Sequence, residues 1–95
     1  MHSYTKIDKK MEAKTAEREF RRFAKSTLIS PRKCRKLEQT RHNIFELHKK
    51  IRELTDKFNY VPDDARLLFN EYQVIQDRMI FENFRRDYRQ VYVKF

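Results

Sequence analysis

One stretch of this chain constrains the fold more than any other. From Ser30 to Phe58 it reads SPRKCRKLEQTRHNIFELHKKIRELTDKF. Leu37, Thr40, Ile44, Leu47, Ile51, Leu54 and Phe58 recur at alternating spacings of 3 and 4. That is the a/d stripe of an amphipathic helix, with one polar slip at Thr40. Ser30 is an N-cap residue type, and Pro31 suits a first helical position, where no N–H is needed. The spacing and these signals predict a helix over about 31–57, with Arg32, Lys33, Arg35 and Lys36 in its first turn and a half.

The flanking segments are read against this helix. The 95 residues include no glycine and only two prolines. A β-rich fold of this size needs tight turns with φ > 0, which glycine supplies most cheaply, so long helices with few connections are expected. A helix over about 6–28 follows from Ile7, Met11, Phe20, Phe23, Ala24 and Leu28 near one face. Its Glu12–Glu19 portion carries a narrow apolar stripe, so the Phe20–Leu28 half is expected to dock. Residues 1–5 are expected to fray. Ser26, Thr27, Ser30 and Pro31 mark the first break. Asn59, Tyr60, Val61 and Pro62 mark the second, and Asp63 and Asp64 then complement the positive end of a new helix. A helix over about 63–90 is expected, with residues 91–95 open between helix and strand. Its stripe of Ala65, Leu68, Tyr72, Ile75 and Met79 shifts register into Phe81, Phe84, Tyr88, Val91 and Phe95. The short second break implies an antiparallel helical hairpin, and the first helix closes it into an all-α three-helix bundle in a single domain over 1–95.

Charge is distributed unevenly. Residues 1–58 hold seventeen Lys/Arg against eight Asp/Glu, whereas residues 59–95 hold six of each. Between Arg18 and Arg41 there are nine basic and two acidic residues. Clustering on this scale predicts an acidic partner better than net charge does. The candidate anion-binding residues are Arg18, Arg21, Arg22 and Lys25 on the first helix, then Arg32, Lys33, Arg35, Lys36 and Arg41. Placed in the first turn of a helix, the group at 32–36 has the wrong sign for the helix dipole, and a bound phosphate would reverse that cost. The competing reading is an internal ion-pair network with Glu17 and Glu19.

Phe81, Phe84, Tyr88 and Val91 exceed what one small core can cover, and they are the candidate protein interface. Arg41 and His48 lie seven apart on one edge of the second helix. Their spacing resembles, loosely and at its long limit, the Arg-to-His pair of the HEPN ribonuclease superfamily. The resemblance covers two residues; it implies a pair that positions and attacks a phosphodiester, usually in a dimer. The residues themselves read as a solvent-edge pair, and no catalysis is expected from them. His2, His42, His48 and Cys34 have no metal-ligand spacing, and no cofactor or small-molecule substrate is expected. The single cysteine and the lack of a long apolar run point to an intracellular, cytoplasmic or nuclear protein that does not cross a membrane. The expected function is a non-enzymatic, basic helical protein that contacts a nucleic acid or nucleoprotein through phosphates, in a regulatory role. The alternative is an interaction module, an assembly subunit, adaptor or inhibitor, that docks on another protein or on its own copy.

Overall fold

The computed structural model describes residues 4–93, and the side-chain surroundings of residues 11–86. Three helices follow one another: α1 over Tyr4–Thr27, α2 over Leu37–Phe58 and α3 over Asp63–Val93. A single 3-10 turn, Pro31–Lys33, lies between α1 and α2. Among the described residues there is no strand, and the helices pack on one another as an all-α three-helix bundle. The expected bounds of the first and third helices hold to within a few residues. Residues 91–93 continue α3 as helix; residues 1–3, 94 and 95 lie outside the described part.

The stripe of α2 is the spine of the core. Leu47 and Leu54 are fully buried, and Ile44, Ile51 and Phe58 pack around them. From α1, Ala16 and Phe20 are buried against this row, with Phe23 and Ala24, and Leu28 just past the helix end, beside them. The Phe20–Leu28 half is therefore docked, while Met11 stands in solvent. From α3, Ala65 and Tyr72 are buried, with Leu68 alongside. Thr40 interrupts the apolar pattern at no cost: its hydroxyl donates back to the Lys36 carbonyl at 3.0 Å. A hydroxyl bonded to its own helix leaves no unsatisfied group in the core.

Contacts fix the directions of the helices. Glu19 of α1 pairs with Lys57 near the end of α2, and Lys50 lies over the Phe23 ring. Ile29, just past α1, meets Asn43 near the start of α2. So α1 and α2 run antiparallel. Thr40 meets Met79 of α3, and His48 meets Phe69, so α3 is antiparallel to α2 on its other flank. Because Thr40 lies near the start of α2, the part of α3 beyond about residue 82 runs past that start. The chain is correspondingly long, 75 × 24 × 17 Å.

Neither break uses glycine. Asn59 takes the left-handed conformation at φ 53° and ψ 37°, and its N–H bonds the Thr55 carbonyl at 2.8 Å. Asparagine is the residue type, after glycine, that tolerates this conformation at a helix end.

The first break differs from expectation. The second helix begins at Leu37, not at Pro31. Lys36 is extended at φ −122° and ψ 147°, and Cys34 is extended too. The cause is tertiary. Asn43 Oδ1 accepts the Ile29 N–H at 2.9 Å, while Asn43 Nδ2 donates to the Gln39 carbonyl at 2.7 Å and approaches Cys34 Sγ at 3.6 Å. The Tyr72 hydroxyl donates to the Ile29 carbonyl. Holding Ile29 and Cys34 against α2 and α3 leaves residues 29–36 as a strap across the bundle end. The Arg35 N–H is taken by the Gln39 side chain, a reach-back of the kind seen in capping boxes.

Candidate anion-binding surface

The strap changes what the basic group at 32–36 is. Arg32 and Lys33 lie on the 3-10 turn, and Arg35 and Lys36 on the extended residues before α2. Only Lys36 occupies a capping position, and its side chain makes no cap bond. The first turn of α2 carries Glu38, the sign the helix dipole favours. The dipole argument for residues 32–36 therefore gives way to a simpler one. Four cations are held, side chains exposed, on a strap whose backbone is fixed from behind by Asn43 and Tyr72.

All nine candidate cations are exposed, and among the described residues none of them forms an ion pair. Glu17 and Glu19, the acids expected to pair with them, are engaged elsewhere. Glu19 binds Lys57 at 3.0 Å, and Glu17 accepts the Tyr60 hydroxyl at 3.1 Å. That bond to Glu17, with burial and the carboxylate charge behind it, pushes the Tyr60 phenol up. Both acids thus serve the far end of the bundle, where α2 turns into α3. On the exposed flank of α2, Lys50 pairs with Glu53 at 3.5 Å, spaced i,i+3.

The structure brings some of the nine together and separates others. Lys25 lies at the end of α1, next to the strap with Arg32, Lys33, Arg35 and Lys36. Arg22 and Arg18 precede it by one and two turns on the α1 face that points away from Ala16 and Phe20. Arg21 instead turns toward α3, where it lines a shallow groove with Asp64 and Glu71. Arg41 shares the flank of α2 with His48, which faces Phe69 of α3 at 6.4 Å. That flank is the opposite one from α1, so Arg41 is not continuous with the α1 arginine face.

The charge count by sequence missed a contribution from α3. Residues 59–95 are neutral as a whole. Along the helix, however, Asp63, Asp64, Arg66 and Glu71 come first and sum to −2, while Asp77, Arg78, Glu82, Arg85, Arg86, Asp87 and Arg89 come later and sum to +1. Arg78 lines a second groove, of about 660 Å³, with Pro31 and Arg32 of the strap. The later arginines run past the same end. The sequence signal was the order of charges along α3, read against an antiparallel hairpin.

Behind the strap, burial pushes the Cys34 thiol up, against the opposing pull of bonds from Thr40 and Asn43. A thiol held protonated in this way is a packing group rather than a nucleophile. Among the described residues, no three His, Cys, Asp or Glu side chains form a group able to hold a metal, and no helix is long and apolar enough to cross a membrane. Phe81 and Phe84, two of the four candidate interface residues, are exposed. Tyr88 and Val91 lie on α3, but their side chains fall outside the described residues.

Comparison with protein-family models, with curated proteins and with solved structures finds no match for this chain.

Proposed function

We propose that this chain is a non-enzymatic, intracellular binding protein whose basic end contacts the phosphates of a nucleic acid or nucleoprotein. The observation that carries the reading is the set of cations on the strap and on α1, exposed and, among the described residues, without ion pairs, while Glu17 and Glu19 bind Tyr60 and Lys57 instead. Packed surfaces of mixed charge ordinarily intersperse their signs. A same-sign cluster fixed on a braced backbone suits a ligand with regularly spaced anions. Phosphate contacts of this kind give affinity and register without base specificity.

The test is oligonucleotide binding across a salt series. Log affinity should fall linearly with log salt, with a slope of roughly −3 to −6 if about four to six phosphates are neutralised. Replacing Arg32, Lys33, Arg35 and Lys36 together with Gln should flatten that slope by several units. Binding that ignores salt, or a slope that survives all four changes, would remove the reading. Incubation with labelled RNA should give no cleavage; cleavage lost in His48→Ala would promote the nuclease alternative.

A second reading rests on a separate observation, the apolar residues exposed on α3. It makes the chain an interaction module, with the basic end meeting an acidic protein surface instead.

A further inference from the structure

Leu67, Val74 and Phe81 follow one another at seven-residue spacing along α3, and they are 60%, 57% and 63% exposed. They lie on the side of α3 away from its buried Ala65 and Tyr72. No element of the described chain covers them. Leu67 and Val74 themselves line the groove of about 660 Å³ between α3 and the strap, together with Glu71, Ile75, Arg78 and Glu82. A straight apolar line on a helix, flanked by charge, is the surface that helix pairing uses.

We propose that this face pairs, antiparallel, with the same face of a second copy of the chain. The argument is self-complementarity about a two-fold axis, the commonest arrangement of soluble dimers. With the axis between Asp77 and Arg78, Val74 comes level with Phe81 of the second copy, and Phe81 with Val74 of the second copy. A large side chain then meets a smaller one in both layers, which fills space evenly. Leu67 reaches the level of position 88 of the second copy, the next position in the same seven-residue series. In this register Glu71 comes within one residue of the level of Arg85 of the second copy, on the same flank, and symmetry makes that pair twice. Both side chains are exposed and neither is in an ion pair among the described residues. Arg78 approaches its own copy at the axis, with Glu82 one turn along on the same helix to offset it.

The pairing does not depend on the phosphate reading. It is tested on the full chain by sedimentation at micromolar to millimolar concentration, with oligonucleotide absent. A reversible dimer is expected, weakened about tenfold or more by Val74→Glu with the far-UV signal unchanged. Glu71→Arg should weaken it, and Glu71→Arg combined with Arg85→Glu should restore it. The register is read by oxidation: Val74→Cys mixed with Phe81→Cys should cross-link, and either alone should not, with wild type as the control for the buried Cys34. A monomer at every concentration overturns the proposal. So does a dimer indifferent to Val74→Glu, a charge swap that fails to restore, or self-cross-linking of Val74→Cys alone, which marks a parallel pair.

Discussion

Asn43 and Tyr72 are the two side chains on which the basic end depends. Asn43 is 1% exposed, and its amide serves the Ile29 N–H, the Gln39 carbonyl and the Cys34 sulfur together. Removing it leaves buried groups unpaired at the root of the strap, a loss of about 1–3 kcal/mol. Asn43→Ala should therefore lower the urea midpoint, and faster amide exchange at Ile29 should accompany it. Tyr72 is buried with its hydroxyl on the Ile29 carbonyl, and its phenol is pushed up to about 12, first by burial and then by nearby Cys34 and Glu71. In the unfolded chain a tyrosine loses its proton near pH 10. Between about pH 10 and 12 the unfolded state therefore holds fewer protons than the folded one, and stability falls as pH rises. Tyr72→Phe has no such titration but lacks the bond. It should be less stable than wild type at pH 9, and the difference should shrink as pH passes through that window, measured by denaturant titration at each pH.

At the scale of elements, α2 carries the fold and the strap carries the cations. The contrast between neighbours on α2 is testable. Leu47 is fully buried, and an unpaired carboxylate there costs several kcal/mol, comparable to the roughly 5–10 kcal/mol stability of a small domain. Leu47→Asp should abolish the cooperative melt. Phe45, two residues earlier, is exposed beside Lys49, and Phe45→Asp should shift stability by only about 0.5 kcal/mol. Equal loss in both would mean that α2 is enclosed on all sides. The strap makes a different forecast from a helix that starts at Pro31. Since only Lys36 touches the helix end, replacing Arg32, Lys33, Arg35 and Lys36 with Gln should leave the melting temperature nearly unchanged while oligonucleotide binding falls. A marked drop in melting temperature would tie those residues to internal ion pairs.

At the scale of the molecule, three helices of unequal length share a short overlap. The radius of gyration is 18.6 Å, against about 12–13 Å for a spherical chain of this length. Small-angle scattering at low protein concentration should return a value near the larger figure; one near the smaller would mean that the ends fold back. The overlap also polarises charge. The net negative start of α3 sits near the α2–α3 turn, while the four cations of the strap lie at the opposite end, beside a later part of α3 whose charges sum to only +1. A small protein with one basic end approaches a polyanion end-on, and the salt dependence of its association rate should follow.

The sequence alone settled that the chain forms three long helices, and where the third begins. The 3,4 stripe from Leu37 to Phe58 has one face, and only a helix presents it to a core. Asp63 and Asp64 marked the start of α3, and the absence of glycine left few connections to place. It also picked out the cations, since charge is legible residue by residue. Two things waited for the tertiary structure. The start of α2 did, because Ser30–Pro31 is a sound local signal for a helix, and contacts from Asn43, fourteen residues from Ile29, and from Tyr72, forty-three residues from it, overrode it. The exposed face of α3 did too. Leu67 and Val74 fall outside the stripe of Ala65, Leu68, Tyr72, Ile75 and Met79; whether a neighbour covers them follows from where α1 and α2 lie, and periodicity within one helix cannot say how many neighbours that helix has.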